Sequence, residues 1–225
     1  ELLIEGDRKD FHITWLHSQD PKSNPYRTFS ANVSAGSSQY YRNTIASMNN
    51  YLSNTFQSSI SWTQLFPDKP FNLAVSLNHW QNTITHDVRI TMPDVSFGVA
   101  RMNPFKRKVQ TGSQRWYEKI GATYNLRASN SLETKDTLLF KHSSLDEFRN
   151  GIQHTVPFST SFSLLKYITL SPSVNYTERW YFRTTEYSWN ADAGKVDTLQ
   201  IHRFRTACDY AVSVGTLTRI YGMFQ

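Results

Sequence analysis

The sequence is short of the features that mark most small secreted folds and all helical membrane proteins. Cysteine occurs once, at Cys208, which excludes an internal disulfide framework and any cysteine-based zinc cluster. Glycine occurs 9 times in 225 residues, below the usual share of about 7%, so collagen-like and Gly-linker readings fall away. No run of the residues AVILMFWYC is longer than three. A membrane helix needs about 20 mostly apolar residues, so no segment crosses a bilayer as a helix. Charge is sparse as well. Charged residues make up 19%, against the roughly 25–35% typical of a well-solvated surface. What is abundant is Ser, Thr and Asn, together over a quarter of the chain, and aromatic residues at 14%. That aromatic and β-branched content is too high for a disordered chain. The length fits one large domain or two small ones.

Helical spacing of apolar residues is hard to find, whereas alternation is everywhere. Phe29, Ala31, Val33 and Ala35 alternate with Ser30, Asn32 and Ser34. Phe71, Leu73, Val75 and Leu77 alternate with Asn72, Ala74, Ser76 and Asn78. The same holds for Ala122, Tyr124 and Leu126 against Thr123 and Asn125, and for Val156, Phe158 and Phe162 against Ser159, Ser161 and Ser163. It returns in Leu170, Val174 and Tyr176 against Ser171, Ser173 and Asn175, and in Cys208, Tyr210, Val212 and Val214 against Asp209, Ala211 and Ser213. Successive strand side chains point to opposite faces, so each segment has one apolar and one polar face. Ile90 and Met92 are out of phase with Val95, Phe97 and Val99, which places a bulge at Pro93-Asp94.

The pattern predicts nine antiparallel strands, over 11–19, 26–36, 55–66, 71–82, 88–101, 115–128, 151–163, 167–183 and 199–217. Soluble strands usually run about 5–6 residues, but a membrane β-strand needs about 9–11. Connections also sort by length. Those at Asp20–Pro25, Pro67–Pro70, Asn103–Gln114 and Leu164–Lys166 read as the tight ones, rich in turn residues. Those at 37–54, 83–87, 129–150 and 184–198 read as the long ones. Short turns on one rim and longer loops on the other is the layout of an outer-membrane barrel. Aromatics gather near strand ends, with Tyr26, Phe66, Phe71, Phe105, Trp116, Tyr117 and Tyr167 beside the short turns. At the other end are Tyr40, Tyr41, Phe56, Trp80, Trp180, Tyr181 and Phe182. Such amphipathic rings favour the headgroup level of a bilayer.

The fold expected is therefore all-β, a segment of an antiparallel transmembrane β-barrel in which residues 1–225 form part of one outer-membrane domain. Its apolar face turns to acyl chains and its Ser/Thr/Asn face lines the lumen. An Arg or Lys on the lipid side at mid-bilayer costs about 2–4 kcal/mol, and no charged residue interrupts the apolar positions in the middle of the strands. The lumen-facing candidates are Ser30, Asn32, Ser34, Ser59, Ser61, Asn72, Ser76, Asn78, Thr123, Asn125, Ser159, Ser161, Ser173 and Asn175. Nine strands do not make a finished bacterial barrel, which has an even number and no free edge. The chain is accordingly expected to be an internal piece of a larger one. A porin or nutrient receptor, or a soluble carbohydrate-binding β-sandwich, would use similar strands, so periodicity leaves these alternatives open.

Several strings carry a resemblance. Asn49-Asn50-Tyr51-Leu52-Ser53-Asn54-Thr55-Phe56 leads into a Ser-rich strand, and Pro104-Phe105-Lys106-Arg107-Lys108 precedes Arg115-Trp116-Tyr117-Glu118-Lys119-Ile120-Gly121. Phe148-Arg149-Asn150-Gly151-Ile152-Gln153-His154 and Leu170-Ser171-Pro172-Ser173-Val174-Asn175-Tyr176-Thr177-Glu178-Arg179-Trp180-Tyr181 follow, then Thr218-Arg219-Ile220-Tyr221-Gly222-Met223-Phe224. In this order they resemble the divergent branch of LptD, the lipopolysaccharide-assembly family, over nearly the whole chain. The resemblance implies an outer-membrane barrel of a Gram-negative bacterium that inserts lipopolysaccharide into the outer leaflet without enzymatic chemistry. It also implies a plug lipoprotein of LptE type, periplasmic lipopolysaccharide-bridge components and outer-membrane lipids as partners. The cysteines that better-known members use for interdomain disulfides have no counterpart here.

Other motifs point to structure. The basic cluster Lys106-Arg107-Lys108 is a candidate contact for anionic lipid headgroups, or a solvated turn whose side chains snorkel beside them. Its positive charge is too local for nucleic acid. Seven scattered histidines, His12, His17, His79, His86, His142, His154 and His202, supply no third and fourth ligand for a metal. Asp146 and Glu147 are adjacent and point apart, and no nucleophile elbow or phosphate loop is present. No cofactor is expected. Ser144 and Glu147 have capping-box spacing in a long loop. Cys208 reads as a small apolar residue facing lipid.

Overall fold

The computed structural model describes residues 10–37, 39–40, 54–109, 112–139, 141, 144, 147–164, 167–191 and 193–218. Residues 41–53, Tyr41 among them, together with His142 and Asp146 therefore lie outside the described residues, as do 49–53 and 219–224 of two of the strings above.

The described residues form twelve strands: β1 (His12–Ser18), β2 (Arg27–Gly36), β3 (Thr55–Leu65), β4 (Phe71–Asn82), β5 (Asp87–Met102), β6 (Gly121–Lys135), β7 (Arg149–Ser159), β8 (Phe162–Leu164), β9 (Ile168–Tyr181), β10 (Thr184–Asn190), β11 (Lys195–Ile201) and β12 (Arg205–Thr218). Ten of them make one sheet in the order β1-β2-β3-β4-β5-β6-β7-β9-β12, with β8 pairing β9, and β10 and β11 form a separate hairpin. The sheet is antiparallel, with β1 and β12 at the two ends of the order. The fold is all-β, as expected from the alternation. Among the described residues no helix is long and apolar enough to cross a membrane. By contacts the residues divide into two units, the first 1–64, 74–95 and 129–150, the second 65–73, 96–128 and 151–225.

Strand boundaries follow local chemistry. The β1–β2 connection is shaped by Asp20 and Asn24, whose side-chain oxygens accept from the backbone N–H of Lys22 and Tyr26. Between β3 and β4, Phe66 N–H bonds to the Phe71 carbonyl, and Asp68 takes φ 60°, a left-handed setting that a short polar side chain tolerates. Between β4 and β5 the Asn82 carboxamide accepts from both Ile84 and Thr85 N–H.

Several expectations change. The region 115–120 is not the start of a strand: Trp116–Lys119 form a 310 turn, and β6 begins at Gly121 and runs to Lys135. The segment 151–163 breaks at Thr160–Ser161 into β7 and β8, so Ser161 lies between strands. The region 184–201, read mainly as loop, is the β10–β11 hairpin. Loop sorting is correspondingly weaker than the sequence suggests. The β5–β6 connection spans 103–120, whereas only 83–86 separate β4 from β5. The Ser144 hydroxyl donates to the Leu138 carbonyl, and the Glu147 N–H bonds to the Ser144 carbonyl at 3.2 Å.

Candidate functional site

The register fixes which side chains share a face. In the first unit Ser30 pairs with Ser61 and Asn32 with Ser59 across β2–β3, while Ala31 pairs with Ile60 and Phe29 with Trp62. Across β1–β2, Ser18 pairs with Ser30 and Thr14 with Ser34. Ser30 and Asn32 thus share a face with Ser61 and Ser59, with Leu16 beside Asn32, and the Ser30 and Ser61 hydroxyls bond at 2.8 Å. In the second unit Ser173 lies between Ser159 on β7 and Ser213 on β12. The Ser173 and Ser213 hydroxyls bond at 2.7 Å. One step along, Val174 lies between Phe158 and Val212. Polar and apolar faces thus stay separate over three adjacent strands. Asn175 pairs with Pro157 and Ala211, and Ser161 touches the strands through a hydroxyl bond with Ser171.

The polar face of the first unit carries two adjoining depressions. One, of about 290 Å³, is lined by Asn32, Ser59 and Asn78 with Gln57, Trp80 and Arg89. The other, of about 550 Å³, shares Trp80 and Arg89 and adds Asp87, Glu133, Lys135 and Glu147. Two ion pairs bridge β5 and β6 there, Arg89–Glu133 at 2.7 Å and Lys135–Asp87 at 2.8 Å. All four groups are half exposed or more, so each pair adds at most about 1 kcal/mol. Their value is chemical, since they place both signs of charge beside an indole and several carboxamides. Such a surface can hydrogen-bond hydroxyls and pair phosphates in turn. Trp80, read from sequence as an interfacial ring, lies instead on this polar groove. Ser76 and Thr123 are half-buried and Asn72 and Asn125 exposed on their strands. Asn72 sits over Gly98, where an added Cβ would lie 2.3 Å from its Oδ1.

In the second unit the polar face is also more charged than its Ser-rich sequence implies. Arg101 donates to the Ser159 hydroxyl at 2.8 Å and to the Ser159 carbonyl at 3.1 Å. Its side chain passes over Gly121, where a Cβ would stand 2.2 Å from Nε, so the missing side chain on β6 lets an arginine of β5 reach β7. Arg179 pairs with Asp209 across β9–β12. Parity groups Arg101 with Phe97 and Val99, and for that reason the sequence hides it.

The opposite face is apolar and largely bare. Val174, Val212, Val214 and Tyr210 are 40%, 66%, 59% and 81% exposed, which in water would be a large unsatisfied patch. Ring-to-ring contacts cross it from strand to strand: Phe71–Phe97, Phe97–Tyr124, Tyr124–His154, His154–Trp180 and Trp180–Phe204, with centroids 4.4 to 6.3 Å apart. One charge departs from the expected neutrality. Glu178 pairs in register with His154 and Cys208, on the side of Val174 and Tyr176. It sits near the end of β9, and its carboxylate accepts from the Tyr176 hydroxyl at 3.0 Å and the Trp180 indole N–H at 2.8 Å. Two aromatic donors thus satisfy the charge at the strand end. Phe56, expected at the headgroup level, is 1% exposed, packed on His12 at 5.4 Å and beneath Gly36.

The basic cluster sits on a built turn. Arg107 bonds both carboxylate oxygens of Glu118, whose side chain is 1% exposed. Arg115 N–H donates to the same carboxylate at 2.8 Å, and Asn103 donates to the Glu118 and Ile120 carbonyls. The Arg107 hydrogen bond, then the Arg115 N–H, hold the Glu118 carboxyl below the usual glutamate range. Arg107 is therefore committed to the turn through Glu118. No cluster of metal-ligating side chains occurs among the described residues.

Residues 4–225 match the family model described as LptD protein. Curated proteins gave no match, and solved structures gave none.

Proposed function

The chain belongs to the LptD family, whose work is lipopolysaccharide transport and assembly at the outer membrane of Gram-negative bacteria, and from that premise we propose that residues 1–225 are part of the β-barrel domain of a translocon that delivers lipopolysaccharide to the outer leaflet. The sugar part travels along the polar face while the acyl chains leave sideways into the bilayer. This chain supplies a path and no bond-making chemistry. The observation that carries the reading is the register itself: Ser159–Ser173–Ser213 and Phe158–Val174–Val212 lie one residue apart on the same three strands. One face suits hydrated saccharide and the other hydrocarbon.

The depressions around Trp80 and Arg89 are the places where a sugar or phosphate meets an indole face and a guanidinium. Asn32, Ser59 and Asn78 line the same path. A plug lipoprotein of LptE type would occupy the lumen against this face. Bridge components deliver substrate from the periplasm, and Lys106 and Lys108 meet anionic headgroups at the rim.

Photo-crosslinking in living cells tests the assignment, with a benzophenone amino acid placed singly at Asn78, Ser59 or Ser173 of the full-length protein. Lipopolysaccharide or the plug lipoprotein should be captured from these positions, and phospholipid from Val174 or Val212. Capture of neither from the polar face, with small-solute conductance of the purified protein in planar bilayers, would replace the assembly reading with a porin.

A further inference from the structure

The β10–β11 hairpin plays no part in the path described above, and its two faces differ in charge. Tyr187 pairs with Thr198, Trp189 with Val196 and Thr185 with Gln200; directly opposed residues share a face. That face holds no charged side chain, and Tyr187, Trp189 and Val196 on it are 73%, 67% and 53% exposed. The other face holds Glu186, Asp197 and Lys195, with Leu199 among them.

Contacts at the hairpin's base show which face continues which side of the sheet. The Glu186 carboxylate lies 3.8 Å from the Arg205 guanidinium and 3.9 Å from that of Arg203. Arg205 pairs with Tyr181 and shares parity with Asp209, Ala211 and Ser213, so the charged side of the hairpin prolongs the polar face. The aromatic side then prolongs the apolar face, whose last members are Trp180, Phe182 and Phe204. Phe204 touches Trp180 at 6.0 Å and Phe182 at 5.6 Å.

We propose that the Tyr187–Trp189–Val196 face of the β10–β11 hairpin docks on the headgroup layer of the membrane, extending the bilayer-facing surface beyond the ends of β9 and β12. Three features favour a lipid surface over a protein partner. The face runs on from an apolar surface already turned to lipid, its anchors are the two ring types that partition to the headgroup region, and the charged side chains of β10 and β11 lie on the other side. The proposal rests on the lipid-facing reading of the sheet, and the test separates the two.

The full-length protein is reconstituted in phosphatidylcholine vesicles, with or without a nitroxide on the lipid headgroup, and the Trp189 signal is isolated by subtracting the emission of Trp189→Phe. The headgroup nitroxide should remove most of the Trp189 emission, and aqueous iodide little of it. Efficient iodide quenching with no nitroxide effect overturns the proposal. Val212→Trp, read with acyl-brominated lipid, supplies the control. If Val212→Trp is quenched and Trp189 is not, only the hairpin proposal fails; if neither is quenched, the lipid-facing reading fails with it.

Discussion

The assignment of faces can be tested by placing one charge at two neighbouring positions. Ser173 and Val174 occupy the middle of β9 and are matched by Ser213 and Val212 on β12 and by Ser159 and Phe158 on β7. Both positions are paired on both sides, so the two substitutions disturb the same ladders to a similar degree. In Val174→Arg the guanidinium enters the apolar face, where an Arg near the bilayer midplane costs about 2–4 kcal/mol. At about 1.4 kcal/mol per factor of ten, that is roughly a thirty- to seven-hundred-fold loss in the folding equilibrium. In Ser173→Arg the same group enters a face that already carries Arg101, Arg179 and Asp209, and water solvates it there. The expected cost is about 0.5–1.5 kcal/mol, that of the lost Ser173–Ser213 hydroxyl bond. Guanidinium titrations of tryptophan emission, with the full-length protein in phospholipid vesicles, measure both. Equal losses, or a larger loss for Ser173→Arg, would refute the orientation and the transport path built on it.

Further outcomes are specific to single residues. Ser58 is 8% exposed, and its hydroxyl accepts from the Ser34 N–H at 3.0 Å and donates to the Ser34 carbonyl at 2.9 Å. Ser58→Ala leaves both backbone groups unsatisfied and should cost about 1–3 kcal/mol, seen as a lower denaturation midpoint at unchanged slope. Phe56→Ala should cost about 3–5 kcal/mol by the same measurement. Because the folded Glu118 carboxyl titrates below its unfolded value, its stabilisation is complete above the unfolded value and is lost as pH falls through the folded one. Carbon-13 NMR of Glu118 should give a midpoint below the ordinary glutamate range, and Arg107→Ala should raise it; an unmoved midpoint would remove Arg107 as the cause. Cys208, exposed on the side of Tyr210 and Val212, should react in vesicles with a lipid-soluble maleimide faster than with a sulfonated one.

The sheet was legible because a strand with one wet and one greasy face must alternate, and β2, β4, β7, β9 and β12 all do. The separation of Ser173 from Val174 needed nothing more than counting by two. Legibility failed where a single side chain overrides the period. Glu118 pulls 115–120 out of the sheet, because a nearly unexposed carboxylate needs the Arg107 guanidinium and the Arg115 N–H, and a strand at that point would not supply both. In the same way the β2–β3 pairing runs regularly to Asn32–Ser59; Ser58 then caps Ser34 with its hydroxyl, and Phe56 goes into the interior rather than to an interface. The charges of the polar face were hidden for a different reason. Arg89, Asp87, Glu133 and Lys135 sit near strand ends, where charge is ordinarily read as loop, and their meaning appears only once β5 and β6 are side by side. The hairpin shows the same limit. TTEYSWN and KVDTLQI are too short to announce themselves as strands, but paired in register they place every charge on one side and Tyr187 and Trp189 on the other. Alternation within one strand thus reports which residues share a face. What that face touches emerges from residues on neighbouring strands, which gather most charges on one side and most rings on the other, with Trp80 and Glu178 as the exceptions.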